Sequence, residues 1–567
     1  MYVSYFGGLE NQEMNFRWYA GFFIIGLLVM LGIASLELSP GYMDADYYYA
    51  SGLRIANEKT FSEAFLWNYL ADPGELPQPA FTYWMPFAGI LSALGIVLTG
   101  KVDFWAARFI FILLAACITP LTAFLATTFT PKRWAGLLAG ALALFSCFYL
   151  VYLPNTETFG IYMFFGGVMF LLILRLQQDV RKKTSIGGKN LPGGTQRTGT
   201  VSPMWVYLAG GGIAGLMYMT RVDGLIWLLM VVSAIGMQLV FNNSNRPPGE
   251  QKKPTNFFWI ALLLCILGFV IISSPWVIRN WQSFGTIFAP GSGRALWLTS
   301  YDELYAFPSD QLTFTRWVNE GLGSILRARA WALGLNSAST FAVQGSIFLM
   351  PLALAGMWIW RKDWRVIIGG LGWLVIFLTM TFVFPFQGAR GGFFHAGAGF
   401  QTLIWALVPV GLYKFVDWGR RRRNWNPGSA VVKFSVGIIG LTILVTGFVT
   451  WQRLTGVSGP VPAWGATERA YEEVEAYLKE SDVPPDYIVM VNNPPGYFAM
   501  TGRQAIVIPD GDFGATMRAA EKYKARYLVL DQNYPQGLEE IYREPDDYPG
   551  LRYLETIAEM HIYFLEP

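Results

Sequence analysis

About eleven stretches of roughly 20 apolar residues recur along the chain. They constrain it more than any other feature, because a hydrocarbon core of roughly 30 Å demands helices of that length. They fall near 19–37, 104–126, 133–152, 159–176, 204–220, 223–241, 257–277, 338–360, 365–385, 400–418 and 431–452. Segments that cross lipid must satisfy their own backbone hydrogen bonds, so runs of this kind predict an all-α polytopic membrane protein. Composition agrees: charged residues are 14% of the chain, against roughly 25% in soluble domains. Aromatic residues are 16%, which suits a protein needing many rings at two membrane interfaces. Cys117, Cys147 and Cys265 all lie inside apolar runs and read as small buried hydrophobes, which argues against a disulfide framework or a thiolate metal site. Nothing suggests nucleic acid. The stretch 14–38 lacks a small-residue cleavage site, so it is expected to remain as a span.

The segment 81–99 is ambiguous, being short, carrying Pro86, and opening with Tyr83 and Trp84. Charge resolves it. With a cytoplasmic N-terminus and 81–99 not crossing, every basic cluster falls on the cytoplasmic side, as the positive-inside bias requires. These clusters are Lys132 and Arg133; Arg181, Lys182, Lys183, Lys189 and Arg197; Arg246, Lys252 and Lys253; Arg361, Lys362 and Arg365; and Arg420 to Arg423. The segment is therefore expected to lie in the outer interface, and 181–201 to be a mobile cytoplasmic loop. The outer loops are then 39–103, 154–158, 274–341 and 385–399, on a multi-pass protein of a plasma (inner) membrane.

After Trp451 the pattern changes. Strand-like runs at 487–491, 504–508 and 527–530 alternate with helix-like runs at 467–478 and 512–524, which predicts a small α/β layer domain. The expected division is a membrane unit over 1–452 and a soluble extracytoplasmic α/β domain over 453–567. Asn493, Pro494, Pro495 and Gly496 follow the first strand, where open α/β sheets often place ligands, but no GxGxxG or Walker pattern is present.

Asp44 and Asp46 follow the first span directly. Carboxylates at a membrane boundary lose hydration unless they find protons, cations or donors. At a helix start their side chains diverge, so Asp44 can face a cavity while Asp46 binds a cation or orients a neighbour. Helix capping or dipole attraction would also account for them. Glu157 is pinned between two spans with almost no linker. Arg221 and Asp223 occupy another tight turn and could be a plain ion pair. Arg279 and Arg390 add two outer cations, with His395 near the second. Acids able to bind a hydroxyl or metal, opposite cations suited to phosphate, make one coherent site.

This pattern resembles the C-type (GT-C) glycosyltransferases, multispan enzymes that use polyprenyl-phosphate-linked sugars. Four features carry the resemblance: the Asp44-Ala45-Asp46 motif, the long first loop with Pro77 to Trp84, Arg108 before the next span, and the acidic turn at Glu157. The later Ser274-Pro275-Trp276 with Arg279 and Asn280, and the α/β tail, also look like bacterial members. Protein O-mannosyltransferases, aminoarabinose transferases and oligosaccharyltransferases are the groups in view. The Asp-Ala-Asp spacing is nearer to the oligosaccharyltransferases, yet the C-terminal region holds no Trp-Trp-Asp block, their acceptor-binding motif.

The resemblance implies a GT-C fold with interfacial helices in the first outer loop. It implies an inverting transfer from a polyprenyl-phosphate sugar to an extracytoplasmic hydroxyl on protein, lipid or glycan. Asp44 would be the general base, with Asp46 and Glu157 as further acids. Arg221, Arg279, Arg390 and His395 would hold donor phosphate. Either no cofactor is needed, or a divalent cation (Mg or Mn) sits on Asp46 and Glu157. The alternatives are an oligosaccharyltransferase-like enzyme using a lipid diphosphate and metal, and a transporter or flippase of lipid-linked saccharides.

Overall fold

In a computed structural model of the protein, residues 13–185, 204–244, 256–457 and 463–566 are described. Lys189, Arg197, Arg246, Lys252 and Lys253, and most of the expected 181–201 loop, lie outside the described residues. The helices used below are α1 (Phe16–Leu36), α2 (Met43–Asn57), α3 (Phe87–Thr99), α4 (Phe109–Phe129), α5 (Arg133–Phe145), α6 (Thr158–Ser185), α7 (Trp205–Thr220), α8 (Leu225–Ser244), α9 (Asn256–Phe284), α10 (Leu322–Ser339), α11 (Met350–Ile359), α12 (Trp364–Leu378), α13 (Phe393–Ala398), α14 (Gln401–Arg423), α15 (Pro427–Thr455), α16 (Ala466–Glu480), α17 (Pro494–Thr501) and α18 (Phe513–Tyr523).

The protein is a multi-pass membrane protein. Among the described residues, seven helices are long and apolar enough to cross, in the regions of α1, α4, α6, α8, α9, α12 and α15. An eighth span is reached if Pro385–Ala398 and Gln401–Arg423, bent by 69° at their junction, count as one. Several of the expected spans are shorter or broken, for local reasons. The run at 133–152 stops as a helix at Phe145, because Ser146 and Cys147 take left-handed φ of 43° and 47° and a 3-10 turn follows. The run at 338–360 is split in the same way at Ser346 and Ile347, leaving only Met350–Ile359 as a regular helix. Helix α3, at 13 residues, rises only about 20 Å, too short to span.

Packing between the helices relies on small residues, as expected where lipid supplies no hydrophobic drive. A Cβ on Gly211 of α7 would lie 1.7 Å from the Cys265 carbonyl of α9, and one on Gly268 would lie 2.0 Å from the Leu208 carbonyl. Arg108, fully buried, donates to the carbonyls of Ala34 and Glu37 (2.6 and 2.8 Å) and stacks on Trp105. It thereby closes the last turn of α1, where free carbonyls attract a cation, and fixes the short linker that leads into α2.

The strands are β1 (Ser62–Glu63), β2 (Phe65–Leu66), β3 (Gln78–Pro79), β4 (Ile488–Val491), β5 (Ala505–Val507), β6 (Ala525–Leu530), β7 (Leu551–Ile557) and β8 (Met560–Leu565). The C-terminal sheet has the order β2-β5-β4-β6-β8-β7, parallel from β2 to β6 and antiparallel beyond. Its edge strand β2 comes from the first loop, so the sheet is completed across some 440 residues of chain. The Tyr69 hydroxyl adds a hydrogen bond to the Val507 carbonyl beside that edge.

Inside this layer Arg503 donates to both oxygens of Glu475 (2.8 and 3.0 Å), with side chains only 2% and 6% exposed. Removing one partner strands the other charge in a dry interior, at a cost of about 3–5 kcal/mol. Arg503→Ala is therefore expected to lower the melting temperature of the α/β layer clearly. An unchanged melt in detergent would contradict that assignment.

Candidate active site

Helix α2 begins at Met43 with Tyr42 as its N-cap residue, and no side chain caps it. Asp44 is thus free of the capping role that could have explained it, and lies in the first turn. The 154–158 turn is held against α2 and the linker before it by two hydrogen bonds: Asn155 Nδ2 donates to the Pro40 carbonyl, and Thr156 Oγ1 to the Ala45 carbonyl (both 2.8 Å). These bonds bring Glu157, only 1% exposed, beside Asp44.

His395 arrives from α13. Gly391, with φ of 136°, breaks the helical path just before it, a conformation that only glycine adopts without strain. The imidazole stacks on Phe159 (centroids 4.0 Å apart, planes at 16°) and stands between the two acids. Its Nε2 is 3.5 Å from Asp44 Oδ2, and its Nδ1 is 3.5 Å from Glu157 Oε1 and 3.1 Å from Thr158 Oγ1. Glu157 Oε1 also accepts from the Thr158 amide and hydroxyl, whereas Glu157 Oε2 is buried with no hydrogen-bond partner. Asp44, Glu157 and His395 each offer a ligand atom within 4.8 Å of the others.

The electrostatics separate the two acids. Burial, and then the charge of Glu157, push the Asp44 carboxyl up to about 6, against the opposing pull of His395 and Arg221. Burial would raise Glu157 too, but the charge and hydrogen bonding of His395 and the donors of Thr158 hold it below the ordinary carboxylate range. Two neighbouring acids of unequal acidity are the arrangement that acid–base chemistry requires.

The remaining sequence candidates divide. Arg221 donates to Asp223 Oδ2 through Nε and Nη2 (3.0 and 2.9 Å) and to the Gly392 carbonyl (3.3 Å), so it ties the α7–α8 turn to the segment carrying His395. Arg390 is exposed and lies over the Tyr301 ring, 5.1 Å from its centroid. Arg279 is turned elsewhere: it donates to Asn280 and the Phe61 carbonyl and stacks on Trp276 and Phe284, bracing the first loop. Asp46 also stands apart. It is fully buried and accepts from Asn493 Nδ2 at 2.7 Å, so it does not join Glu157 as the expected cation pair, and His395 takes that place. Two residues advance roughly 200° around a helix, so both aspartates cannot face one cavity.

Tyrosines complete the site and were not singled out from sequence. Burial, and then the charges of Glu157 and Asp44 among others, keep the Tyr42 and Tyr48 hydroxyls above their ordinary range. Tyr48 could have been found, since it follows Asp44 by four positions and shares its helix face. Tyr301, in a long irregular loop, carries no such signal.

No protein-family model matches the chain, and no curated protein matches it in sequence. Solved structures do. The Archaeoglobus fulgidus oligosaccharyltransferase in complex with Zn and sulfate is similar over 96% of this chain and 73% of its own, at 13% identity and a TM-score of 0.50. ArnT from Cupriavidus metallidurans in the apo state is similar over 97% of this chain and 98% of its own, at 12% identity and a TM-score of 0.50. Likeness at this level is likeness of fold: the chain has the GT-C fold that its acidic motifs and spans lead one to expect.

Proposed function

We propose that the chain is a glycosyltransferase that moves a sugar from a lipid-phosphate donor to an extracytoplasmic hydroxyl, with Asp44 as general base. The observation that carries this reading is the convergence of Asp44, Glu157 and His395 within 4.8 Å, on a fold shared with ArnT and an oligosaccharyltransferase. The Asp44 side chain keeps about a third of its surface open while Glu157 is sealed, so Asp44 is the acid an acceptor can reach. Its carboxylate takes the proton of the acceptor hydroxyl as that oxygen attacks the anomeric carbon. The bond from that carbon to phosphate breaks, and lipid phosphate leaves with inversion. General-base assistance of this kind contributes about 10²–10⁴ in rate. Arg390, exposed and over the Tyr301 ring, is the cation assigned in this reading to the departing phosphate, and His395 orients the acids.

The same residues fit a divalent cation. Two carboxylates and an imidazole form a suitable donor set, and the unpartnered Glu157 Oε2 gains a partner if one binds. When bound by Asp44, Glu157 and His395, such an ion would supply Lewis-acid compensation of leaving-group charge. This favours a second reading, metal-assisted transfer from a lipid diphosphate, and the Archaeoglobus neighbour was solved with Zn and sulfate. Loss of turnover on chelation, restored by Mn or Zn, would select it over the first.

Incubating the purified protein in nanodiscs with labelled polyprenyl-phosphate sugars is the test. One donor is expected to be consumed with stoichiometric release of lipid phosphate. Donor left unconsumed in nanodiscs but moved intact across the bilayer of sealed proteoliposomes would instead make the protein a flippase. The acidity of Asp44 adds a pH signature. A base must be ionised, and burial beside Glu157 pushes the Asp44 carboxyl up to about 6, so kcat/KM should fall about tenfold per pH unit below that value. A profile that is flat down to about pH 4.5 would remove Asp44 from the role of base.

A further inference from the structure

Asp46 is the acid the proposed chemistry does not use, and it is 0% exposed. The single hydrogen bond of its side chain, among the described residues, is to Asn493 of the C-terminal layer, 447 positions away. Its Oδ1 has no partner, and Glu468 of α16 stands close enough for their charges to oppose.

Asn493 is held rigidly. It follows the end of β4, the strand flanked by β5 on one side and β6 on the other, where the connections of the sheet diverge. Its Oδ1 accepts from the Gly496 amide (3.1 Å) and caps α17, and its own amide donates to the Tyr471 hydroxyl (3.3 Å). The side-chain amide is thereby aimed at Asp46. Gly496 permits the approach, since a Cβ there would lie 2.5 Å from Asn493 Nδ2 and 2.8 Å from Asp46 Oδ2.

We propose that Asn493 is a positioning residue: through its bond to Asp46, the C-terminal α/β layer sets the rotation of the first turn of α2, and with it the aim of Asp44. The inference rests on the reading of Asp44 as the base. The two aspartates occupy nearly opposite faces of one turn, so a slip on the Asp46 face swings Asp44 away from Glu157 and His395. A displacement of 1 Å in a reacting group can cost about 10²-fold in rate.

The test uses the full chain in nanodiscs and four variants: Asn493→Asp, Asp46→Asn, the exchange D46N/N493D, and Gly496→Ala. Asn493→Asp sets a carboxylate against Asp46 and Glu468. Asp46→Asn keeps an amide oxygen that still accepts from Asn493 Nδ2, so it serves as the control. The exchange restores the bond with donor and acceptor reversed, and aspartate still caps α17.

Asn493→Asp and Gly496→Ala are expected to lose about 10²-fold in kcat, with the KM for lipid donor within about twofold, while Asp46→Asn stays within about threefold of wild type. The exchange is expected to recover most of the loss. A general packing defect would not be repaired by swapping two polar groups. Wild-type kcat in Asn493→Asp, or an exchange no better than Asn493→Asp, overturns the inference while Asp44→Asn stays slowed by about 10³-fold. Full activity in Asp44→Asn overturns the base assignment and this inference together.

Discussion

Asp44→Asn is expected to slow sugar transfer by about 10³-fold, within the range that a positioned base supplies, while donor binding stays close to wild type. The substitution keeps size and shape and removes only the capacity to take a proton. It should not disturb the fold, because Asp44 caps no helix, keeps part of its surface open, and makes no contact shorter than 3.5 Å to His395. Turnover and melting temperature measured on one preparation separate the two effects. Loss of kcat with an unshifted melt supports the assignment, and undiminished transfer rules it out.

Glu157→Gln is expected to lose about 10²-fold in transfer, a cost typical of disturbing the partner that orients an active group, and also to move the pH profile. Glu157 is sealed, holds both donors of Thr158 and faces the Nδ1 edge of His395. A glutamine oxygen still accepts from Thr158, so the turn should survive. What disappears is the negative charge, the second largest influence raising Asp44 after burial. With that charge gone Asp44 becomes more acidic, and the acid limb of kcat/KM should shift below pH 6. Reduced activity with an unmoved limb would mean that Glu157 acts by shape alone.

How much of this could be read beforehand depends on the range of the interaction concerned. Long apolar runs specify spans by themselves, and α1, α4, α6, α8, α9 and α12 answer to them. Breaks are harder, because Ser146, Cys147, Ser346 and Ile347 take left-handed backbone at residues with no intrinsic preference for it. In the C-terminal layer, β4, β5 and β6 follow from alternation. The β7–β8 hairpin escaped because its turn is Ala558–Glu559, both at positive φ without the usual glycine or asparagine. The two-residue β2 exists only because a distant sheet offers it an edge.

The site shows the same division. Asp44 and Glu157 stand out because tight linkers pin them at span ends. That His395 bridges them, that Arg279 braces the first loop, and that Asp46 turns to Asn493 depend on contacts across more than 200 residues, about which local pattern is silent.

A donor bearing a photoreactive group on its sugar ring, cross-linked to the protein in nanodiscs and mapped by peptide, tests the central claim most directly. Label in 42–48, 155–159 and 299–305, abolished by excess unlabelled donor, is the result this account expects. Label concentrated on α11, α12 and α14 within the membrane, with those three segments clean, would contradict it.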